Sequence, residues 1–360
     1  MKRILVHGLG AVSPAGWGFE ALCDVVQKNV PLPITDLPRP GWSKPLRVRA
    51  VPAPPERPAF LAHPRLRRAS TITQHTVAAA LEALGDDAAR AQSGALRLGI
   101  VIAMMPGCVA YSRRFYEEVL KDPTVASPLL FPETVFNAPG SHLAAFLNST
   151  SVSYTLVGDE SSFVQGLAVA AGWLDEDRVD GALVIGAEEL DWIIADAAHL
   201  FNRQTIQTGG AGAIYLKGRS RREEAITEPT NDLRLLSSSP TKQMVELAAI
   251  TDAFSFVSHS KRRTAAASMR AQLNSSANDL LCLATQGQPR MDADELAAWR
   301  DWRGPRIAPR ELLGDAFTAS AACQCVAACA ALQRGEFAAA NVSVVGTNAQ
   351  TIGTRFQKVN

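Results

Sequence analysis

The sequence has no excess of charge of either sign and no long apolar stretch. Its 36 lysines and arginines stand against 35 aspartates and glutamates, which leaves a formal charge of +1. A chain with this balance has no net field that would attract it to nucleic acid or to an anionic membrane surface. No apolar stretch approaches the ~20 residues that a membrane-spanning helix needs, and the N-terminal segment has only a short apolar run before Gly8. We therefore expect a cytoplasmic protein.

The sequence also lacks the cysteine spacing of a metal site. Its six cysteines form no CxxC pair and have no histidine nearby in the spacing of zinc sites. We interpret them as small, buried, reduced core residues, and we expect no metal and no other cofactor. Tandem repeats and low-complexity tracts are absent as well. An organic ligand, free or borne on a carrier, remains compatible with this composition.

What the sequence does contain is alternating strand and helix patterns. The 360 residues are 47% hydrophobic and 20% charged, which is enough for a large core or for two units that share one. Apolar runs of strand length alternate with helical spacing, as in residues 72–86, 96–104, 151–158, 162–176, 181–190, 210–218 and 315–335. This alternation predicts an α/β protein with its sheet buried between helices.

The segments outside this alternation carry three further predictions. The proline- and arginine-rich residues 31–69 are expected to form an irregular surface loop. The charged, turn-rich residues 218–232 indicate a boundary between two halves, residues 1–220 and 221–360. After this boundary, residues 241–254 and 260–273 both have helical patterns.

Several segments, taken in order, resemble the β-ketoacyl synthases of the thiolase superfamily. The opening GLGAVSPAG is similar to the family's first strand and loop, and residues 131–190 resemble its nucleophile region. TGGAGAIYLK, ATQG, LLGDAFTASAACQCVAACAAL and VVGTNAQTIGTRF follow where later motifs are expected. The resemblance implies a thiolase-like fold with two similar α/β halves, stacked five-stranded mixed sheets and helices between them. It also implies a dimer that forms through the edge strand around Val152 to Leu156.

The resemblance further implies a catalytic cysteine and two histidines, and this chain has other residues at all three positions. Glu160 takes the place of the cysteine, and a carboxylate cannot carry an acyl chain as a thioester. Gln286 and Asp315 take the places of the histidines, and Arg310 stands where the family has a lysine. An aspartate would repel a malonyl carboxylate. We interpret Asp159 and Glu160 mainly as first-turn residues that complement the dipole of the following helix.

Other candidates for chemistry near these positions are weaker. Ser161 and Ser162 have no evident neighbouring base and fit helix-capping roles, and His142 lies on a preceding helix as a packed or interface residue. The loop from Val345 to Asn348 lacks the phenylalanine that gates the synthase cysteine. The expected tunnel or gate positions are Met104, Met105, Phe136 and Thr347.

The pattern of loss resembles that of chain-length factors, and the aryl polyene type is the nearest resemblance for so short a chain. It implies a catalytically inactive partner of a complete β-ketoacyl synthase in fatty acid or polyketide biosynthesis, with an acyl carrier protein as a further partner. Two alternatives remain open. One is a decarboxylase of malonyl-carrier protein that uses Glu160 in place of cysteine, and the other is a homodimeric protein that binds an acyl group.

Overall fold

The computed structural model describes residues 2–219, 243–347 and 350–359. The strands are β1 (Arg3–Ser13), β2 (Gly16–Trp17), β3 (Thr35–Leu37), β4 (Leu46–Arg49), β5 (Leu98–Met104), β6 (Ser153–Val157), β7 (Gly181–Glu188), β8 (Gln207–Thr208), β9 (Gly210–Arg219), β10 (Val245–Ile250), β11 (Phe254–Ser255), β12 (Leu280–Cys282), β13 (Arg306–Ile307), β14 (Ala339–Val345) and β15 (Gln350–Lys358). The helices are α1 (Phe19–Lys28), α2 (Thr71–Leu84), α3 (Asp87–Gln92), α4 (Val109–Lys121), α5 (Ala138–Phe146), α6 (Ser161–Asp175), α7 (Trp192–Phe201), α8 (His259–Gln272), α9 (Pro289–Ala298), α10 (Pro309–Leu313) and α11 (Phe317–Gln333). Within these ranges no helix has both the length and the apolar character needed to cross a membrane.

The strands form two five-stranded sets with the same pairing pattern. One set has the order β1-β9-β7-β5-β6 and the other the order β10-β15-β14-β12-β13. In each set the first two pairings are antiparallel and the last two are parallel. The predicted pair of similar five-stranded mixed sheets is confirmed. The sequence does not predict the short antiparallel ladder of Leu5 and Val6 with Glu246 and Val245, which joins the two sets edge to edge.

Helices α6 and α11 lie between the two sets, as the fold prediction requires. They pack against each other, and each contacts strands of both sets. All residues from Thr318 to Gln333 of α11 are buried, which explains why this helix has no polar face. Its alanines and cysteines allow close approach, since a Cβ atom on Gly212 of β9 would come within 2.7 Å of the Ala322 side chain. The free cysteines of this helix are core residues, as expected.

Two local predictions are wrong. Residues 241–254 were expected to be helical, but Val245 to Ile250 form strand β10, and residues 241 and 242 lie outside the described ranges. A short apolar run fits a helix turn and a strand equally well, and here pairing with β1 and β15 decides the outcome. The segment 31–69 is not wholly irregular, because β3 and β4 pair with each other and β4 pairs with β8.

The predicted division into residues 1–220 and 221–360 stays a prediction. Most of the charged segment 218–232 on which it rests lies outside the described residues.

Substituting alanine for Gly10 is expected to destabilise the protein by about 1–3 kcal/mol, because β1 lies directly against the backbone of α2. A Cβ atom at Gly10 would come within 2.0 Å of the Ala79 carbonyl oxygen, and backbone atoms cannot move aside cheaply. Gly172, on α6, is the control, since a Cβ atom there would meet nothing within 4 Å. Gly172→Ala should leave the protein unchanged or stabilise it by up to ~1 kcal/mol. Urea unfolding of both variants provides the measurement, and equal stabilities would contradict the close packing of β1 on α2.

Candidate functional site

The three positions that depart from the synthase pattern meet in one buried cluster. Glu160 precedes the first residue of α6, directly after the turn that follows β6. Gln286 follows β12, and Asp315 follows α10. Glu160 is 1% exposed, Arg310 is 3% exposed and Asp315 is 5% exposed. Chain segments distant in sequence therefore bring these side chains together away from solvent.

Arg310 lies at the centre of this cluster and connects its two carboxylates. Its Nη2 donates to Glu160 Oε1 at 2.6 Å and lies 2.7 Å from Asp315 Oδ1. Its Nε donates to the same Asp315 oxygen at 3.1 Å, and its Nη1 lies 3.5 Å from the Ala284 carbonyl oxygen. We refer to Glu160, Arg310 and Asp315 as the buried ion network.

The ion network holds Glu160 in its charged form. Burial by itself would raise the pKa of Glu160, but the nearby Arg310 charge and hydrogen bonds from Thr347 outweigh burial and lower that pKa. Thr347 donates to Glu160 through its backbone nitrogen at 2.9 Å and through its hydroxyl at 2.6 Å. For Arg310, burial lowers the pKa, and the Asp315 and Glu160 carboxylates more than reverse this effect. Glu160 thus bonds to the second half of the chain, so its interpretation as mainly a helix-dipole residue is incomplete.

Gln286 completes the surroundings of Arg310. Both polar atoms of its side chain are satisfied when the amide oxygen faces the guanidinium, 2.9 Å from Nη2 and 3.3 Å from Nη1. The turn that carries Gln286 is fixed by Asp292 of α9, which accepts from the backbone nitrogens of Gln286 at 2.9 Å and Gln288 at 2.6 Å. Gln286 is therefore held as an acceptor toward Arg310.

Asp315 is positioned by backbone pairing with the segment before β9. Its nitrogen donates to the Ile206 carbonyl oxygen and its own carbonyl oxygen accepts from Thr208, each at 2.8 Å. Gly314, with φ of 97°, makes the turn out of α10 that allows this pairing. A Cβ atom at Gly314 would lie 2.7 Å from the Ile206 oxygen, so a larger residue would displace Asp315.

Neither serine nor histidine named as a weaker candidate is poised as a nucleophile or base in the described part of this site. The Ser161 hydroxyl donates to the Gln350 carbonyl oxygen at 3.0 Å, which makes it a structural hydrogen bond between the two halves. His142 Nε2 lies 2.8 Å from Glu133 on the chain segment before α5, as expected for a packed histidine. Burial raises the pKa of the Cys108 thiol to about 12 and that of Cys323 likewise, which keeps both protonated. In the described part of the chain, no group of three or more His, Cys, Asp or Glu side chains is arranged to hold a metal ion.

A cavity of about 390 Å³ opens next to the ion network. Its lining includes the apolar residues Met105, Ile194, Phe201 and Phe317 and the polar residues Gln207, Gln286, Asp315 and Thr347. Of the four expected tunnel or gate positions, Met105 and Thr347 line this cavity. Met104 does not, because it is fully buried in a core cluster that also contains Cys108 and Ala138. Phe136 is 42% exposed and lies against Gly107 instead. Neither Met104 nor Phe136 lines this cavity, and their assignment to a tunnel stays a prediction.

Two buried polar residues of this region do not stand out in the sequence. Glu188, at the end of β7, accepts from the Met105 nitrogen at 2.7 Å and from the Thr318 hydroxyl at 2.8 Å. Burial raises the pKa of Glu188 well above its usual range. Gln207 donates from Nε2 to Asp315 Oδ2 at 3.3 Å. Only the three-dimensional pairing of β7 and β8 with their neighbours reveals either residue.

Replacing Glu295 with glutamine is expected to remove part of the protein's pH dependence. Glu295 accepts from the Ala284 nitrogen at 3.1 Å and the Ser343 hydroxyl at 2.5 Å, and burial raises its pKa to about 7. The folded state then binds a proton that the unfolded state, with a pKa of about 4.3, has released, so stability falls as pH rises from about 4.5 to 7. Between these pH values the stability of Glu295→Gln relative to wild type should increase by about 2–4 kcal/mol.

Urea unfolding of Glu295→Gln and of the wild type at several pH values gives the measurement. Glu336→Gln serves as the control, because Glu336 belongs to a partly exposed ion pair with Arg334. A stability difference between Glu295→Gln and wild type that is constant across this pH range would show that Glu295 is ionised in the folded protein.

Comparison with known proteins rests on structure. No protein-family model and no curated protein matches the sequence. The ishigamide ketosynthase/chain length factor matches with a TM-score of 0.77 and 18% identity over 99% of this chain and 100% of its own. A β-ketoacyl synthase from Burkholderia phymatum STM815 matches with a TM-score of 0.78 and 15% identity over 100% of both chains. A type II polyketide synthase complex of a ketosynthase with its acyl-carrier protein matches with a TM-score of 0.73 and 15% identity over 99% of each chain. The chain therefore has the thiolase-like fold of the β-ketoacyl synthases.

Proposed function

We propose that this chain is a catalytically inactive partner of a complete β-ketoacyl synthase and acts as a chain-length factor, of the aryl polyene type, in fatty acid or polyketide biosynthesis. The observation that carries the proposal is the buried ion network. Glu160 and Asp315 of the network, together with Gln286 beside it, occupy the three positions at which a synthase needs a cysteine and two histidines, and the network joins the two halves of the chain by an ion pair between Glu160 and Arg310. These side chains therefore stabilise the fold instead of serving catalysis.

The donors of the network have nothing left to offer a substrate. The Arg310 guanidinium is directed at Glu160, Asp315, Gln286 and the Ala284 carbonyl oxygen. A malonyl carboxylate entering the site would be repelled by the carboxylates of Glu160 and Asp315, and Arg310 already forms ion pairs with both of them. This arrangement argues against decarboxylation by Glu160, since Arg310, the cation that the described residues place beside it, already bonds to carboxylates and to carbonyl oxygens.

The similar structures support a paired role. One is described as a ketosynthase/chain length factor, and another contains a ketosynthase with its acyl-carrier protein. By analogy, we propose that this chain pairs with an active synthase in a heterodimer and that an acyl carrier protein delivers substrate to the pair. The identities of the partner synthase and of its product are left to experiment.

The edge of the first sheet provides a surface for such pairing. Strand β6 is the last strand of its set and pairs only with β5 among the described residues. Tyr154 and Val157 on this strand are 47% and 56% exposed. Further exposed apolar side chains, Leu129, Phe131 and Phe136, lie in the segment leading to α5, the helix that contacts β6. An exposed apolar edge of this kind favours aggregation unless a partner covers it.

The test is co-expression with a complete β-ketoacyl synthase, sought first among the neighbouring genes, followed by size-exclusion chromatography. We expect a single 1:1 complex, because large interfaces between paired subunits commonly bury ~2,000 Å² or more. Omitting this chain should change the product length or the stability of the synthase. Two separate homodimers, with unchanged product, would refute the proposed role.

A further inference from the structure

A second cavity, of about 590 Å³, lies at the C-terminal end of α7. Its lining comes from residues 39–47 of the β3–β4 hairpin, from α7 and from the segment 203–207 that leads into β8. Helix α7 contacts both β4 and β8, which holds these parts together. None of the three residues of the buried ion network lines this cavity, and its volume falls within the range of small-molecule sites.

The lining of this second cavity carries an excess of positive charge. Its described part contains no aspartate or glutamate but four cations, Arg39, Lys44, Arg47 and Arg203. Arg39 forms an ion pair with Asp196 of α7, whereas the other three cations form no ion pair within the described ranges. Asp36 lies opposite Arg47 in the β3–β4 ladder but does not pair with its charge. The whole chain has a formal charge of only +1, so three unpaired cations around one cavity are a local concentration that attracts anions. We refer to this site as the basic cavity.

An exposed tryptophan stands beside these cations. Trp42 lines the basic cavity and is 64% exposed. A turn fixes its position, because its nitrogen donates to the Arg39 carbonyl oxygen at 3.1 Å and Gly41 adopts a φ of 79°. The Arg39 guanidinium lies 3.8 Å from the centre of the indole ring, and its ion pair with Asp196 connects this turn to α7. An indole that is held in place and mostly exposed is suited to stacking against a further flat ring.

We propose that the basic cavity binds a nucleoside diphosphate, whose base stacks on Trp42 and whose phosphate groups pair with the three unpaired cations. A nucleoside diphosphate carries about three negative charges at neutral pH, the number that these cations match. Inorganic phosphate would leave most of the 590 Å³ empty, and an uncharged aromatic compound would leave the cations unpaired. This inference goes beyond the pairing role and does not depend on it, because the basic cavity belongs to the single chain.

The direct test is calorimetric titration of the purified chain with ADP, pyrophosphate and adenosine at pH 7.5, in low salt and without magnesium. ADP is a sufficient probe, because stacking on an aromatic side chain accepts every base. It should bind at least about tenfold more tightly than pyrophosphate, which has no ring, and at least about 100-fold more tightly than adenosine, which has no charge. Raising the salt from about 50 to about 300 mM should weaken ADP binding at least about fivefold. Absence of ADP binding, or binding of pyrophosphate or adenosine as tight as that of ADP, would overturn the proposal.

Variants at exposed residues connect binding to the basic cavity and should keep the fold, which circular dichroism checks. Arg47→Glu and Arg203→Glu should each weaken ADP binding at least about tenfold. Trp42→Ala should lower the affinity for ADP to that for pyrophosphate and leave pyrophosphate binding unchanged, whereas Trp42→Phe should keep the preference for ADP. Arg300→Glu is the matched control, because Arg300 is also exposed but follows α9 and does not line the basic cavity. Unchanged ADP binding in either arginine variant of the cavity, or an equal loss in the control, would contradict the assignment.

Failure of this inference is distinguishable from failure of the proposed function. Nucleotide binding is measured on this chain alone, and pairing with a synthase is measured by co-elution. A basic cavity that binds no nucleotide would leave the pairing test unaffected, and an absent complex would leave the titration unaffected.

Discussion

Replacing Arg310 with methionine is expected to destabilise the protein by about 3–5 kcal/mol, the cost of leaving buried charges without their partner. The substitution removes the only cation that contacts Glu160 or Asp315 among the described residues, and both carboxylates are almost fully buried. Urea unfolding at pH 8 gives the measurement. Arg334→Met, at a partly exposed pair with Glu336, should cost no more than about 1 kcal/mol.

The pH dependence of this effect has a defined sign. In the wild type the lowered pKa of Glu160 contributes stability above the unfolded pKa, and this contribution is lost as pH falls. In Arg310→Met, burial without its main counter-ion raises the pKa of Glu160, so the variant loses stability as pH rises. The cost of the substitution should therefore be smaller at pH 5 than at pH 8.

A neutral version of the network separates charge from packing. The triple variant Glu160→Gln, Arg310→Met, Asp315→Asn removes all three charges and should recover most of the stability lost in Arg310→Met. If the triple variant is as unstable as the single one, lost packing and not unpaired charge explains the effect.

Replacing Thr155 with proline is expected to weaken pairing through β6 by at least ~100-fold in Kd, or ~2.7 kcal/mol. The carbonyl oxygen of Val152 accepts from the Ile100 nitrogen, and the nitrogen of Gly158 donates to the Met104 carbonyl oxygen. In a parallel pair every second residue bonds to the same neighbour, so the backbone groups of the even-numbered residues from 152 to 158 bond to β5. The backbone of Thr155 then points away from β5, toward a partner strand. Proline at such an edge position removes an outward donor and keeps the ladder to β5.

Thr155→Val is the matched control, since it keeps the backbone donor and the β-branched shape. Analytical ultracentrifugation of each variant with the partner synthase, supported by thermal unfolding of the chain alone, gives the comparison. Unchanged association of the proline variant would mean that the subunits pair through another surface.

The sequence predicts the architecture well because strand and helix patterns alternate so regularly. The long apolar runs of β5, β7 and β9 and the small-residue helix α11 have the lengths and compositions of buried elements. The short strand β10 is mistaken for helix, because its six residues, five of them apolar, are too few to show a clear period. Only the neighbouring strands, distant in sequence, decide its structure.

The site is predictable in its positions but not in its bonds. Motif order locates Glu160, Gln286 and Asp315, yet the ion pair of Glu160 with Arg310 spans 150 residues and leaves no local pattern. Met104 and Met105 show that the sequence does not predict side-chain direction at a strand end either. Adjacent residues at a strand end point in different directions, so one enters the core and the other the cavity.

Intact-protein mass spectrometry tests the central claim, that this chain contributes structure and no acyl chemistry, most directly. The complex with the synthase is incubated with acyl- and malonyl-carrier proteins, and each subunit is weighed. The synthase should gain an acyl group, while this chain stays unmodified and, when assayed alone, makes no ketoacyl product. Glu160→Cys alone should make no product either, because Gln286 and Asp315 still leave the enolate unstabilised. An acyl group on any residue of the wild-type chain, or ketoacyl product from it alone, would contradict the claim.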